Sequence, residues 1–291
     1  MRWSRRAVVI GGALALLSGC ARWQQPAARD VPQLLQQATA SPESVTLEIF
    51  FARVPWDDAE VNGPLWERID EQSLPAELRQ RMASNGLRAG LVGGQVPSRL
   101  AELMHLTDEP PPEREEPGIQ QGVSLESEPA VRRRLLQLRS GRRGEILASG
   151  LIPSLPLLIR EGGRLRGQTY EKAQGLFAVR AGALPDRQVK LSLTPEVQHG
   201  EAKQQWSGQD GIFQLEMARP KEIFAELEIE ALLTPGQMLV VSCLPERPGS
   251  LGCHFFRDES ARGKEQKVLI IRLVQTPLDA LYEAEPSSPQ P

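Results

Sequence analysis

"IFAELEIEALLTPGQMLVVSCL", Ile223–Leu244, carries the pattern on which the fold turns. Leu227, Ile229, Ala231 and Leu233 alternate with Glu226, Glu228 and Glu230, the two-residue period of a half-buried strand. Pro235 and Gly236 occupy the central positions that a type II turn favours. "MLVVSCL" then runs without a charged residue. The stretch therefore predicts a β-hairpin turning at Pro235-Gly236. Similar text fills the chain from residue 151 onward. "IPSLPLLIREGGRL" holds a Gly-Gly turn, and "GLFAVRAGAL" and "RQVKLSLTPEV" both alternate. In the latter, Val189, Leu191 and Leu193 share a face. "KQQWSGQDGIFQLEMA" reads as a hairpin turning within Ser207–Gly211, with Trp206 and Phe213 stabilising it from either side. "KVLIIRLV" is a late strand. This density of strands predicts a mainly β fold built on extended antiparallel sheet.

The first half is mixed. In "VTLEIFFARV", Val45, Leu47, Ile49 and Phe51 share one face and Phe50 makes the other partly apolar, which predicts a central, well-covered strand. Helices are expected over "LWERIDEQ", "PAELRQRMASNG" and "SRLAELMHL", with a strand at "LRAGLVGG" whose Gly90 and Gly93-Gly94 suggest a bend or a close backbone approach. The proline-rich acidic run "TDEPPPEREEPG" excludes regular structure in its middle. These boundaries predict a tether over 20–43, a small α/β part over 44–106, a linker over 107–122, a β-rich domain over 123–280 and a disordered polar tail over 281–291. At 291 residues with 40% hydrophobic content, the chain has the composition of a globular protein and length for one large domain or two small ones.

Chemistry is sparse. The three histidines, His105, His199 and His254, are far apart in sequence, and no nucleophile elbow, phosphate loop, zinc helix or dinucleotide fingerprint is present. No cofactor is expected. Asp57-Asp58 reads as a cap or turn. The Glu226, Glu228 and Glu230 row could bind a cation, but reads first as the solvated face of a sheet. Cys243, Cys253 and His254 match no standard zinc spacing. "VRRRLLQLRSGRR" packs six arginines between Val131 and Arg143. Of these Arg132, Arg133, Arg134, Arg142 and Arg143 form a candidate polyanion-binding patch, set against the alternative of charge compensation with the acidic linker. The acidic net charge gives no bulk reason to bind nucleic acid.

Several of these segments, in order, resemble the C-terminal core of bacterial secretins, the outer-membrane rings of secretion and pilus systems. "LTPGQMLVVSCLP" resembles the family's Gly-Gln turn and the strand it leads, through Gly236, Gln237, Leu239, Val240, Val241 and Leu244. Leu251, Gly252 and Phe256 resemble its Leu-Gly…Phe stretch, and Lys267 to Val274 its closing strand. "VKLSLTPEV" is similar to a Leu-x-Val-x-Pro-x-Val strand, and Asn85, Ala89, Gly93 and Pro97 to an Asn-x-x-Ala…Gly…Pro segment. "VTLEIFFARV" resembles the strand that opens the core. The resemblance spans about residues 45–275. It departs at Ser242-Cys243, where Gly-Gly is usual, at the delayed Thr-Pro of "RLVQTP", and in having no ring-stacking domains between tether and core. It implies a secretin-like core whose strands join those of other copies in a ring, or a reduced derivative of one, acting as a structural or interaction module without enzymatic activity. Two alternatives stay open on the residues: an envelope hydrolase or carbohydrate-active enzyme on a β scaffold, and a polyanion- or ligand-binding lipoprotein.

The N-terminus supplies the compartment. Arg2, Arg5 and Arg6 precede the apolar "AVVIGGALALL", which is too short to span a bilayer and fits an export signal. "SRRAVVI" also bears a faint likeness to a twin-arginine signal but lacks its usual ending, so the export route stays open. Leu17-Ser18-Gly19-Cys20 resembles the lipobox of bacterial lipoproteins. That resemblance implies a signal peptide over 1–19, cleavage before Cys20 and lipid attachment to it. With Ala21 next, it also implies sorting to the outer membrane, facing the periplasm, with envelope proteins or further copies of the chain as partners. The excised segment carries three arginines and no acid, so its loss takes the formal net charge from −3 to −6. Lipidation of Cys20 would leave Cys243 and Cys253 as a candidate disulfide in an oxidising compartment. Replacing Cys20 by alanine is expected to abolish fatty-acid labelling and release the protein from membranes. Unchanged labelling and fractionation would refute the anchor.

Overall fold

The computed structural model describes residues 44–105, 131–209, 212–260 and 263–277. The segments expected as signal peptide, tether, acidic linker and tail lie almost wholly outside them, Cys20 included. The described chain is mainly antiparallel β and forms two six-stranded sheets and a separate hairpin. The first sheet runs β2 (Leu87–Val92), β12 (Met238–Cys243), β14 (Gly263–Gln275), β1 (Ser44–Pro55), β3 (Val131–Arg139), with β13 (Arg257–Ser260) paired to the start of β14. The second runs β10 (Lys221–Ile223), β7 (Val189–Gln198), β6 (Arg164–Ala183), β4 (Arg143–Leu147), with β11 (Ile229–Leu233) added to β7 and β5 (Ile152–Glu161) to β6. The hairpin consists of β8 (Lys203–Gln209) and β9 (Ile212–Ala218). Short helices α1 (Ala59–Asn62), α2 (Pro64–Glu67), α3 (Ala76–Ser84), α4 (Ser98–Leu103) and α5 (Leu251–Phe256) complete the elements.

Period-two patterning assigns each strand face to a layer. Val45, Leu47 and Ile49 of β1, Leu239 and Val241 of β12, and Leu269, Ile271 and Leu273 of β14 pack into one core with Phe177, Val179, Leu191, Leu193, Ile229 and Leu233 of the second sheet. The opposite faces, with Phe50, Ala52, Val240, Val268 and Ile270, pack under Val61, Leu65, Trp66, Leu100 and Leu103 of α1, α2 and α4. The layers are therefore helices, first sheet, second sheet. Strand β1 is covered on both faces, as "VTLEIFFARV" predicts.

Two expectations are corrected. Ile223–Leu244 is not a hairpin: β11 pairs with β7, while β12 pairs with β14 and β2. The turn is present, with Gly236 at φ +90°, its N–H donating to Leu273 O at 2.8 Å and Gln237 Oε1 accepting from Thr234 N at 2.8 Å. It carries the chain from one sheet to the other. The reason lies in the sequence itself. Alternating "IEALL" needs cover on one face, whereas "MLVVSC", buried at every position, needs it on both. Glu226 also leaves the expected strand, since Ala225–Leu227 forms a 3₁₀ turn. This turn interrupts the β10–β11 edge opposite Pro195, which has no N–H to offer; Phe224 N instead donates to Pro195 O at 3.1 Å. The strands on either side of the expected acidic linker meet in one sheet, where β1 and β2 lie with β12 and β14.

One buried asparagine joins the layers at their margin. Asn85 Nδ2 donates to Arg81 O and Arg160 O, both at 3.0 Å, and its Oδ1 accepts from Arg160 N at 2.7 Å. It thus substitutes for a strand neighbour at the end of β5. Asn85 O accepts from Gly252 N at 3.0 Å, and Leu244 N donates to Gly86 O at 2.8 Å. A Cβ on Gly252 would lie 1.9 Å from Gly86 O, a backbone atom that cannot rotate away. Gly252→Ala is expected to cost at least ~1–3 kcal/mol, read as a lower denaturant midpoint with unchanged slope; a midpoint equal to that of the wild type would refute the contact.

Helix α5 is capped by Ser250, whose Oγ accepts from Cys253 N at 3.3 Å. On its other side the His254 imidazole Nε2 lies 3.0 Å from Pro156 O. Burial holds this imidazole below its ordinary value of 6.5; the Pro156 carbonyl opposes that shift, and Arg257 adds to it. The neutral ring is thus favoured by folding, and the unfolded chain takes up the proton first. The stability it contributes is complete above about pH 6.5 and is lost as pH falls through the depressed folded value. Between pH 7 and 5 the denaturation midpoint of His254→Gln is expected to fall less than that of the wild type; parallel curves would refute this.

Candidate functional site

The residues singled out for chemistry are mostly engaged in structure. Asp58 caps α1, its Oδ1 accepting from Glu60 N and Val61 N, both at 3.0 Å, while Oδ2 pairs with Arg99 at 2.8 Å. Cys243 and Cys253 are free and buried, so the candidate disulfide is not formed in this structure. Burial, with Cys253 nearby, pushes the Cys243 thiol up to about 12, which keeps it protonated and unreactive. His199 lies against the Tyr170 ring, 4.9 Å between centroids, and His105 follows α4. Among the described residues no group of three His, Cys, Asp or Glu side chains is placed to hold a metal ion, and no helix is long and apolar enough to cross a membrane.

The arginine run does not form one patch. Pairing with β1 places Arg132 and Arg134 opposite Phe51 and Ile49, and Arg133 opposite Phe50, so neighbours in the run alternate between faces of the sheet. Arg133 and Arg272 close from the two flanking strands on the carboxylate of Glu48, which is 1% exposed on β1; Arg272 Nε donates to it at 2.7 Å. Both guanidiniums also lie over the Phe50 ring. A carboxylate buried at that depth costs several kcal/mol unless paired, and two cations meet the need. Arg142 has an interaction partner, and Arg143, across the β3–β4 turn, binds the almost fully buried Glu196 at 2.6 Å and Glu145 at 3.2 Å. Lys221 joins the same group through Glu145 at 2.7 Å. Arg133 and Arg143 thus serve buried carboxylates in different sheets, a role that the charge count of "VRRRLLQLRSGRR" could not disclose.

Among the described residues, two features bear on the expected interactions. The first is a cleft of about 950 Å³ between α3 and β11, lined by Glu77, Glu226, Glu228 and Glu230. The glutamate row thus stays together although its first member sits in a turn. Lys190 pairs with Glu230 at 2.7 Å, and Arg81 Nε donates to Glu226 O at 2.9 Å. The second is strand edge. Among the described residues, β3 pairs only with β1, β4 only with β6, and β8 and β9 only with each other, whereas the outer edge of β5 is taken by Gly249 and Asn85. Leu135 of β3, and Leu158 and Leu165 of the β5–β6 hairpin, are about half or more exposed. The β8–β9 register sets Trp206 opposite Leu215 and Phe213 opposite Gly208.

The motif residues that carry the secretin resemblance come together in pairs. Gly252 N binds Asn85 O, and the position of a Cβ on Gly93 is 3.1 Å from Gln237 Nε2. No family model matches the chain, and no curated protein does. Among solved structures it is similar to the InvG secretin domain β-barrel from the Salmonella SPI-1 injectisome. The identity is 11% and the TM-score 0.21, over 83% of this chain and 64% of that one. The chain spans just under two thirds of that structure's length.

Proposed function

We propose that this protein is a structural and interaction module of a bacterial envelope, held to the membrane through Cys20 and working by strand addition between copies. A secretin-like ring, or a reduced derivative of one, is the concrete form. The observation that carries the proposal is the β8–β9 hairpin. Among the described residues it belongs to no larger sheet, and a lone two-stranded hairpin is marginal in water until further strands or a packed face join it. The unpaired edge of β3 offers the same chemistry, a row of backbone donors and acceptors. The order of motif residues along 45–275 agrees with this reading.

The test is native mass after mild detergent extraction of the full chain. The wild type is expected to run as a large, detergent-resistant oligomer. A variant with residues 203–218 replaced by a short Gly-Ser linker is expected to be monomeric, with little change in thermal unfolding. A wild type that stays monomeric at high concentration would overturn the proposal.

A further inference from the structure

A second cleft, of about 850 Å³, shares Arg81 and Glu226 with the acidic one. Its lining includes Arg81, Arg160 and Arg247, with Gln80 and Ser84 beside them and the Gly162-Gly163 turn at its rim. The three arginines come from three separate elements: the last turn of α3, the end of β5 and the loop between β12 and α5. In a chain of acidic net charge, one acid, Glu226, faces three guanidiniums.

The backbones that present these arginines are tied to each other. Asn85, 1% exposed, binds the carbonyls of both Arg81 and Arg160 through one amide nitrogen and the N–H of Arg160 through its oxygen. The third is held by Ser250, whose Oγ donates to Arg247 O at 2.6 Å. Ser250 in turn packs against Gly86, where φ is +73° and a Cβ would strike Ser250 Oγ. The spacing of the three Cα atoms is therefore set by partly buried hydrogen bonds. The guanidiniums are left differently. Arg81 spends one N–H on Glu226 O. Among the described residues the side chains of Arg160 and Arg247 have no hydrogen bond or ion pair. Three guanidiniums thus line one cleft, two of them without an acid partner among the described residues, a set of donors that a multivalent anion would satisfy.

We infer that this cleft is a binding site for a phosphoryl group, taken between Arg160 and Arg247 with Arg81 as the third donor. The planar guanidinium fork matches two oxygens of a tetrahedral anion, and several forks match a dianion better than a carboxylate. The group could be carried by a soluble phosphate ester or by a lipid headgroup; the chemistry of the site is the same. The site is independent of strand addition, since no residue of it lies on β3, β8 or β9.

The test is isothermal titration of the full chain in neutral detergent with two probes, inorganic pyrophosphate and a short-chain phosphatidate below its micelle concentration. Binding of both at similar affinity supports the site and indicates a soluble source; binding of phosphatidate alone supports it and indicates a headgroup. The R160Q/R247Q variant is expected to lose about tenfold or more in affinity, with the wild-type melting temperature and oligomeric state, since both side chains are exposed. R134Q, on β3, is expected to bind as the wild type. The inference is overturned if neither probe binds, if R160Q/R247Q binds like the wild type, or if R134Q loses as much.

Discussion

A strand that is apolar on both sides must be covered on both, and three such strands govern this molecule. Strands β1, β12 and β14 lie side by side in the first sheet, β12 buried throughout, β1 at most positions and β14 over its centre, Gln266 to Ile271. One layer cannot cover them. The second sheet takes the faces of Leu47, Leu239 and Ile271, and the short helices take those of Phe50, Val240 and Ile270. The order of layers, the crossing of the chain at Gly236 and the return of the C-terminal strand to pair with the N-terminal one all follow from that need. Each covering strand of the second sheet can keep an outer face in water, where Lys190 and Glu230 form their ion pair.

What the sequence disclosed is local. The period of "VTLEIFFARV" gave β1 and its burial, "REGGRL" gave the tight β5–β6 turn with Gly162 and Gly163 both at positive φ, and the Ser207–Gly211 region gave the β8–β9 hairpin. Pairing was not legible. Pro235-Gly236 looks the same whether it closes a hairpin or moves the chain between sheets, because its dihedrals are fixed by two residues and its partners by residues dozens of positions away. The glutamate row was read as continuous strand because nothing near Glu226 announces that Pro195, across the sheet, leaves a gap there. The three-arginine cleft was invisible for a related reason. Arg81, Arg160 and Arg247 stand singly in the sequence, whereas the conspicuous run at 131–143 is shared between two sheets and in part bound to buried acids.

Polar groups do the joining wherever apolar packing stops. Glu48 fixes β1 against β3 and β14 through two guanidiniums, and Glu196 fixes β7 against β4 through Arg143. Asn85 locks α3 to β5. Each is nearly fully buried, so each tolerates little rearrangement: losing one partner strands the others away from water. These are the residues that specify register at the sheet margins, where the apolar pattern alone would allow a slip.

The placement of β1 has a mechanical consequence. It is central, hydrogen-bonded along its length to β14 on one side and over Ser44–Ala52 to β3 on the other, and the chain enters it at Ser44, beside the end of β14 at Gln275. A pull on the chain ahead of Ser44, directed along the strand, loads both ladders in shear, so many backbone bonds share the force at once. Were β1 at an edge and pulled sideways, the same bonds would peel open one after another. Were the chain fastened to a surface ahead of Ser44, as proposed, its first strand would resist being drawn out by that attachment.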